Sequence, residues 1–452
     1  MIFSSSSNIC WIISKSACLI LRKRQQNIQR LFIRSLFHQL STPFPPSTTT
    51  MPHSLISTFR PPLHQIRICP RSQNNFSLSN FRQKPYSKDS ISLIQSTGAN
   101  RHLDLKIMSK KKPIEGVSDQ MNAIASQNLD HAPARRRVRL AFTQVQEQLD
   151  HVLFKMAPTG IRTEEWFETN SKGQEIFCKS WLPKPGVRIK AAVCFVHGYG
   201  DTCTFFFEGI AKRIAAAGYG VYAIDHPGFG LSEGLHGYVP NFGDIVDNVI
   251  EQYTKIKGRP EVRGMPRFLL GQSMGGAVAL KVHLKEQREW DGVVLVAPMC
   301  KIAEEMKPPE PLQKVLILLS RLMPKAKLVP QKDLAELAFR DPQKRKLADY
   351  NVIAYSDPTR LKTAVELLNA TNELESQVEK VSSPLLILHG AADKVTDPNI
   401  SKFLYEKAAS KDKSLKLYDG SYHCILEGES DDRIFEVLDD IIAWLDSHCS
   451  VR

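Results

Sequence analysis

The chain has 452 residues, 42% of them hydrophobic and 24% charged, which is typical of a globular protein and excludes a wholly disordered or fibrous chain. Its formal net charge is +13, but twelve basic and no acidic residues lie between Met1 and Lys88, so +1 remains for the other residues. That balance leaves no clustered positive charge for a nucleic-acid surface, and we expect no nucleic-acid partner.

Residues 1–108 are predicted to be a transit peptide or a disordered extension. They are rich in Ser, Arg and Pro and poor in acidic residues, as organelle-targeting segments are. The apolar run from Ile9 to Leu21 is interrupted by Lys15 and is too short to span a bilayer, although it could form a signal sequence or a weak anchor. We expect import into the chloroplast. The alternatives are the mitochondrion, or the cytoplasm and a membrane surface if Met51 or Met108 is the true start.

The nine cysteines are scattered, with no C-x-x-C pair and no histidine at metal-ligand spacing. This pattern indicates free thiols in a reducing compartment, and it provides neither a disulfide framework nor a zinc site. The cysteines are Cys10, Cys18, Cys69, Cys178, Cys194, Cys203, Cys300, Cys424 and Cys449.

Residues 109–157 are predicted to be a linker followed by an amphipathic helix. No helical or strand period is sustained up to about Asn128. Apolar residues from Val138 to Met156 then recur at the spacing of one helix face. We expect a single helix that packs on the following domain or lies on a membrane surface.

An α/β domain is predicted in two parts, residues 158–298 and 384–452. It opens with a hairpin, Glu164–Thr169 and Gln174–Leu182, and continues with short apolar strands that alternate with helices. Such alternation predicts a mostly parallel sheet with helices on both faces and a ligand at the carboxyl ends of the strands. The strands are Ala191–Val196, Gly220–Ile224, Phe268–Leu270, Val293–Val296, Leu385–Leu388 and Leu415–Tyr418, and the helices are Phe205–Ala217, Asn241–Lys257, Gly275–Lys285 and Ile400–Ala409.

Residues 299–383, called the cap below, interrupt the alternation and are predicted to be helical only. They include the amphipathic stretch Leu312–Met323. A segment inserted between two strands can cover the carboxyl-end crevice and shape access to it. Its apolar residues could contact a lipid or a membrane surface, or they could pack between cap helices; they include Leu316, Ile317, Leu319 and Leu322.

Gly271-Gln272-Ser273-Met274-Gly275 follows a predicted strand and precedes a predicted helix. This context is typical of the nucleophile elbow of the α/β-hydrolase fold, where a sharp turn presents the serine and glycines prevent backbone collisions. A serine hydroxyl needs a base to accept its proton and an acid to orient that base.

The acid and the base of this fold follow the serine in that order, each after a late strand. Asp393 follows Leu385–Leu388, and we expect it rather than Asp397 to be the acid because it lies nearer the strand end. His423 follows Leu415–Tyr418 and is the expected base.

Two backbone N–H groups, those of Tyr199 and Met274, are expected to form the oxyanion hole. His197-Gly198-Tyr199-Gly200 ends a strand at the place from which this fold takes one donor, although it could also be an ordinary turn. The loop Asp225–Ser232 lacks the further glycine and the helix of a dinucleotide site, and no phosphate-binding loop occurs. We therefore expect no cofactor and no metal.

With these motifs, the region from about Pro158 to Leu445 resembles monoacylglycerol lipases and the plant group of lysophospholipases and caffeoylshikimate esterases. It is also similar to the broader serine aminopeptidase group. The resemblance implies that Ser273 is the nucleophile, Asp393 the acid and His423 the base, under a mobile cap over an acyl-binding tunnel. The stretches that carry it are His197–Asp201, Gly271–Gly276, Ala297–Met299, Met306–Pro308, His389–Asp393 and Tyr422–His423.

The expected function is hydrolysis of a carboxylic ester in a small lipid-like substrate through an acyl-enzyme on Ser273. An acyltransferase is the enzymatic alternative, because the same acyl-enzyme can pass its acyl group to an alcohol where water is excluded. A small-molecule receptor with little turnover is the alternative from another class, since fold alone does not determine function.

Overall fold

A computed structural model describes residues 113–301, 310–329 and 334–449. The transit peptide or extension predicted for residues 1–108 lies outside these ranges. The strands in these ranges are β1 Arg162–Thr169, β2 Glu175–Leu182, β3 Ala192–Val196, β4 Gly220–Ile224, β5 Arg267–Gln272, β6 Gly292–Val296, β7 Lys327–Val329, β8 Thr359–Arg360, β9 Leu385–Gly390 and β10 Lys413–Tyr418. Eight of them form the main sheet in the order β1-β2-β4-β3-β5-β6-β9-β10, and β7 and β8 form a separate pair.

The main sheet is mostly parallel, as predicted. β1 and β2 are antiparallel at one edge, and β2 is antiparallel to β4, whereas the pairs from β4 to β10 are parallel. Alternate residues of β3 enter different cores: Val193 and Phe195 lie on one face, and Ala192 and Cys194 on the other. Because both faces are covered, the parallel strands can be apolar along their whole length. The predicted mostly parallel sheet with both faces covered is therefore confirmed.

Helices cover both faces of the sheet, and none of those in the described ranges is long and apolar enough to cross a membrane. The predicted helices of the domain are confirmed to within two residues at each end. The helices are α1 Asp119–Ala125, α2 Ala132–Glu147, α3 Val152–Lys155, α4 Phe206–Ala216, α5 Phe242–Lys257, α6 Met274–Lys285, α7 Glu310–Leu322, α8 Leu334–Ala338, α9 Pro342–Ala348, α10 Leu361–Glu375, α11 Pro398–Lys407 and α12 Asp431–Cys449.

The single helix expected across residues 138–156 is two helices in the structure, so that prediction was wrong. α2 ends at Glu147, and α3 starts after His151, whose backbone is extended and whose ring nitrogen Nδ1 accepts a hydrogen bond from the amide of Leu153. The cap at His151 starts a new helix after the break. The apolar residues on either side of the break nevertheless keep the spacing of one continuous helix. Val138 and Phe142 of α2 are fully buried against the domain.

Three further short elements differ from the sequence-based expectation. α1 lies in the segment expected to be a linker, where Ser118 caps it and the side chain of Asn122 bonds to Ile114. In the cap, expected to be helical only, β7 and β8 pair antiparallel. Elements of two to seven residues are shorter than the windows in which periodicity can be recognised, so the sequence pattern could not show them.

Candidate active site

Ser273 lies at the turn between β5 and α6 with a strained backbone. Its φ is 53° and its ψ is −119°, in a region that residues with a side chain rarely adopt. Such a conformation costs about 1–3 kcal/mol and persists only where the surroundings enforce it. Here the amide of Ser273 donates to the carbonyl of Val296 (3.0 Å), and its carbonyl accepts from the amide of Met299 (3.0 Å).

The glycines of the turn have a steric cause. A Cβ atom on Gly275 would lie 1.9 Å from the carbonyl oxygen of Val196, and one on Gly271 would lie 2.5 Å from the carbonyl oxygen of Gly275. Real atoms do not approach so closely, so only glycine allows β5, β3 and α6 to converge at the turn. The close packing of the turn therefore requires glycine at both positions of the sequence motif, as in a nucleophile elbow.

The loop after β3 passes beside Ser273. A Cβ atom built on Gly198 would lie 3.9 Å from Oγ of Ser273, which places the next residue, Tyr199, near the serine. The amides of Tyr199 and Met274 donate no hydrogen bond to another described residue, and Met274 is the first residue of α6. The N–H groups of a first helical turn have no partner within the helix and are available to an anion.

Asp393 lies in the loop after β9, and both of its carboxylate oxygens are engaged. Oδ1 accepts from the amides of Val395 (2.7 Å) and Thr396 (3.1 Å), and Oδ2 lies 2.7 Å from Nδ1 of His423. The rival candidate Asp397 instead caps α11 by accepting from the amide of Asn399 (2.8 Å). The structure thus brings Asp393, and not Asp397, to the histidine.

The charge state of Asp393 follows from its neighbours. Burial opposes ionisation, but the charge of His423 and the hydrogen bonds from His389 and His423 outweigh it, so the pKa of Asp393 lies well below its usual value. Asp393 is therefore a carboxylate at neutral pH. Its contact with Nδ1 of His423 leaves Nε2 of that ring to exchange a proton.

A second histidine, His389, also contacts Asp393 and was not singled out in the sequence. Its Nε2 lies 3.0 Å from Oδ2 of Asp393 and 3.0 Å from the carbonyl oxygen of Thr396. Because a carbonyl only accepts, Nε2 carries the proton, and Nδ1 accepts from the hydroxyl of Ser401 (2.7 Å). The feature of the sequence that could have indicated this contact is the position of His389 at the end of β9, four residues before Asp393.

Gln272 and Glu427 form a second contact that sequence reasoning missed. The amide nitrogen Nε2 of Gln272 donates to Oε1 of Glu427 over 2.8 Å, and both side chains are buried. Gln272 immediately precedes Ser273, and Glu427 follows His423 by four residues. The hydrogen bond therefore joins the loop of the histidine to the turn of the serine.

The parts of the chain that the structure describes contain no group of three or more His, Cys, Asp or Glu side chains able to hold a metal ion. Their six cysteines are free thiols. The candidate groups are the hydroxyl of Ser273, the imidazole of His423, the carboxylate of Asp393 and the amides of Tyr199 and Met274, a set suited to acyl transfer by nucleophilic attack.

Comparison with known proteins identifies the family. Residues 187–431, more than half of the chain, match the model of the family described as serine aminopeptidase, S33. The protein belongs to this family. Ser273, Asp393 and His423 all lie inside the matched range.

The similarity of this S33 family member to curated relatives extends over most of the length of those relatives. Caffeoylshikimate esterase of Arabidopsis thaliana is 35% identical over 290 residues, which are 64% of this chain and 86% of the relative. Monoglyceride lipase of Homo sapiens is 30% identical over 286 residues, 61% of this chain and 88% of the relative. A crystal structure of a soluble variant of monoglyceride lipase from Saccharomyces cerevisiae, in complex with a substrate analogue, has the same fold, with a TM-score of 0.56 and 23% identity over 65% of this chain and 99% of that chain.

Proposed function

We propose that this S33 family member hydrolyses a carboxylic ester of a lipid-like substrate, with Ser273 as nucleophile, His423 as base and Asp393 as the acid that orients the base. The observation that carries the proposal is the 2.7 Å contact between Nδ1 of His423 and Asp393. The loop that bears His423 is hydrogen-bonded to Gln272, the residue before Ser273, whose backbone is strained. The names of its relatives, an esterase and lipases, support an ester as the substrate.

Each side chain has a defined step in this reaction. The hydroxyl of Ser273 attacks the ester carbonyl while Nε2 of His423 takes its proton, and the alcohol leaves with that proton, which gives an acyl-enzyme. A water molecule then attacks the acyl-enzyme, again giving its proton to His423, and the acid and free Ser273 are released. The N–H groups of Tyr199 and Met274 stabilise the negative oxygen in both halves.

The proposed substrates are monoacylglycerols, lysophospholipids and caffeoylshikimate-type esters, the classes indicated by the resemblance and by the relatives' names. The test compares the wild type with S273A on short p-nitrophenyl esters and then screens the three natural classes. We expect wild-type turnover and no turnover above background for S273A. Equal turnover by the two proteins would refute the role of Ser273.

We also propose that α7 of the cap contacts a membrane surface. Leu318 and Leu322 are one helical turn apart on α7 and are 58% and 60% exposed. An exposed apolar stripe on a helix can enter the interface of a bilayer. We expect L318S/L322S to sediment less with phosphatidylcholine vesicles than the wild type. L140S is the matched control, because Leu140 is 73% exposed on α2, outside the cap.

Finally, we propose that residues 1–108 direct the protein to the chloroplast. The support is their basic, Ser-rich and acid-poor composition. A fusion of residues 1–108 to a fluorescent protein should accumulate in chloroplasts of leaf cells. Mitochondrial fluorescence would replace this proposal with the mitochondrial alternative, and diffuse cytoplasmic fluorescence would indicate a later start.

A further inference from the structure

The hydrogen bond between Gln272 and Glu427 links two segments that are far apart in the sequence. Both side chains are more than nine-tenths buried, with exposed fractions of 7% and 6%. A buried carboxyl group is costly unless it is hydrogen-bonded, and a pair of apolar side chains would fill the same space at lower cost. The presence of a polar pair here therefore calls for a role beyond filling the core.

The backbone around Glu427 is restrained on both sides. The carbonyl of His423 accepts from the amide of Ile425 (3.0 Å), and the carbonyl of Cys424 accepts from the amide of Gly428 (2.6 Å). The carbonyl of Glu427 itself lies 2.9 Å from Nε2 of His151, which is also buried. A displacement of Glu427 would therefore be transmitted to the loop that bears His423.

We propose that Gln272 and Glu427 are positioning residues, whose hydrogen bond holds the turn bearing Ser273 against the loop bearing His423 in the geometry needed for proton transfer. This inference rests on the proposed function, since it concerns the same serine and histidine. Neither residue touches the reacting atoms. Their effect is on the distance and alignment between hydroxyl and imidazole, where an error of about 1 Å can cost about 100-fold in rate.

The charge state of Glu427 depends on its buried surroundings. Burial and the nearby negative charge of Asp201 raise the pKa of Glu427 to about 7, while Gln272 and Cys424, by hydrogen bonding, and the charge of His423 act in the opposite direction. His151 contacts Glu427 at its backbone carbonyl rather than at its carboxyl group. The carboxylate and the protonated carboxyl group both keep an oxygen that accepts from Gln272, so the contact is expected in either charge state.

The experiment uses four variants of the full chain: E427Q, E427L, Q272L and Q272L/E427L. E427Q retains an oxygen that accepts from Gln272, so its kcat should stay within about 3-fold of the wild type. E427L and Q272L should lose about 10-fold or more in kcat with little change in KM. The double variant should lose no more than either single leucine variant, because both act through one contact.

Two measurements separate positioning from a merely structural role. Melting temperatures show whether each variant is folded, and the ratio of kcat in E427Q to kcat in E427L shows whether the hydrogen bond with Gln272, rather than the volume of the side chain, determines the rate. Folded leucine variants with wild-type kcat would overturn the inference. If those variants do not fold, E427Q decides, and a loss of about 10-fold or more in its kcat, although it keeps an oxygen for Gln272, overturns the inference. An inactive wild type would instead refute the proposed function.

Discussion

Nδ1 of His423 lies 2.7 Å from Oδ2 of Asp393, and this contact determines which ring nitrogen is available for proton transfer. A carboxylate only accepts hydrogen bonds, so Nδ1 carries the proton and Nε2 presents a lone pair. The low pKa of Asp393 keeps that arrangement throughout the neutral range. In the proposed mechanism the ring is thus oriented as a base before substrate arrives.

We expect D393N to lower kcat by about 10⁴-fold, because an amide can hold the ring in the wrong tautomer while leaving the fold intact. The matched control is D397N, since Asp397 caps α11 and an asparagine caps a helix equally well. Kinetics with a p-nitrophenyl ester give both values. A large loss in D397N with activity retained in D393N would reverse the assignment of the acid.

His389 supports Asp393 by donating from Nε2, and H389L removes that donor. We expect kcat to fall by about 10-fold, because Asp393 loses one hydrogen bond to its charged carboxylate, worth about 1.5–3 kcal/mol, and with it part of its fixed orientation. The control S401A removes the hydroxyl bonded to Nδ1 but leaves the proton on Nε2. The rate of labelling by a fluorophosphonate measures the effect at Ser273. Equal labelling rates in H389L and the wild type would contradict this prediction.

The elbow should tolerate no side chain at Gly275, because a Cβ atom there would collide with the backbone of Val196. We expect G275A to yield little folded protein, measured as soluble yield and melting temperature. G264A is the control without a collision: Gly264 has a positive φ, of 75°, but nothing lies within 4 Å of an added Cβ. It should cost only the left-handed conformation, about 1–2 kcal/mol. Equal stability of the two variants would be inconsistent with the close convergence of strand and helix.

Acid should destabilise the protein through His283. Burial lowers its pKa to about 4, and Nε2 accepts from the amide of Ser382 (3.2 Å), which requires a neutral ring. An unfolded histidine binds a proton below about pH 6.5, so the stabilisation is complete above that pH and is lost as pH falls toward 4. H283Q does not titrate there, and its melting temperature should fall less between pH 6.5 and 4. Parallel declines in both proteins would exclude His283 as a source of acid sensitivity.

The strands, the elbow and the order of Ser273, Asp393 and His423 could be predicted because each leaves a local pattern in the sequence. Short apolar runs mark buried parallel strands, and glycines at fixed spacing mark the tight turn. The break at His151 could not be predicted, since the apolar residues on either side keep a continuous helical spacing. Cap strands of two or three residues are too short to show an alternation.

The hydrogen bonds that support the site also could not be predicted from the sequence. Gln272 and Glu427 are separated by 155 residues, so no local period relates them. His389 looked like part of a strand end, and only its ring contacts reveal a partner of Asp393. Long-range hydrogen bonds depend on how the loops close over the sheet, which is determined by tertiary packing.

The helix α2 has a practical consequence for recombinant work on this protein. Val138 and Phe142 are fully buried in the same core as Phe195 of the central sheet. A truncated product that begins at residue 187, where the family match starts, would leave that core open to solvent. The smallest part of the chain that folds therefore begins before the family match. A shortened expression product should retain α2.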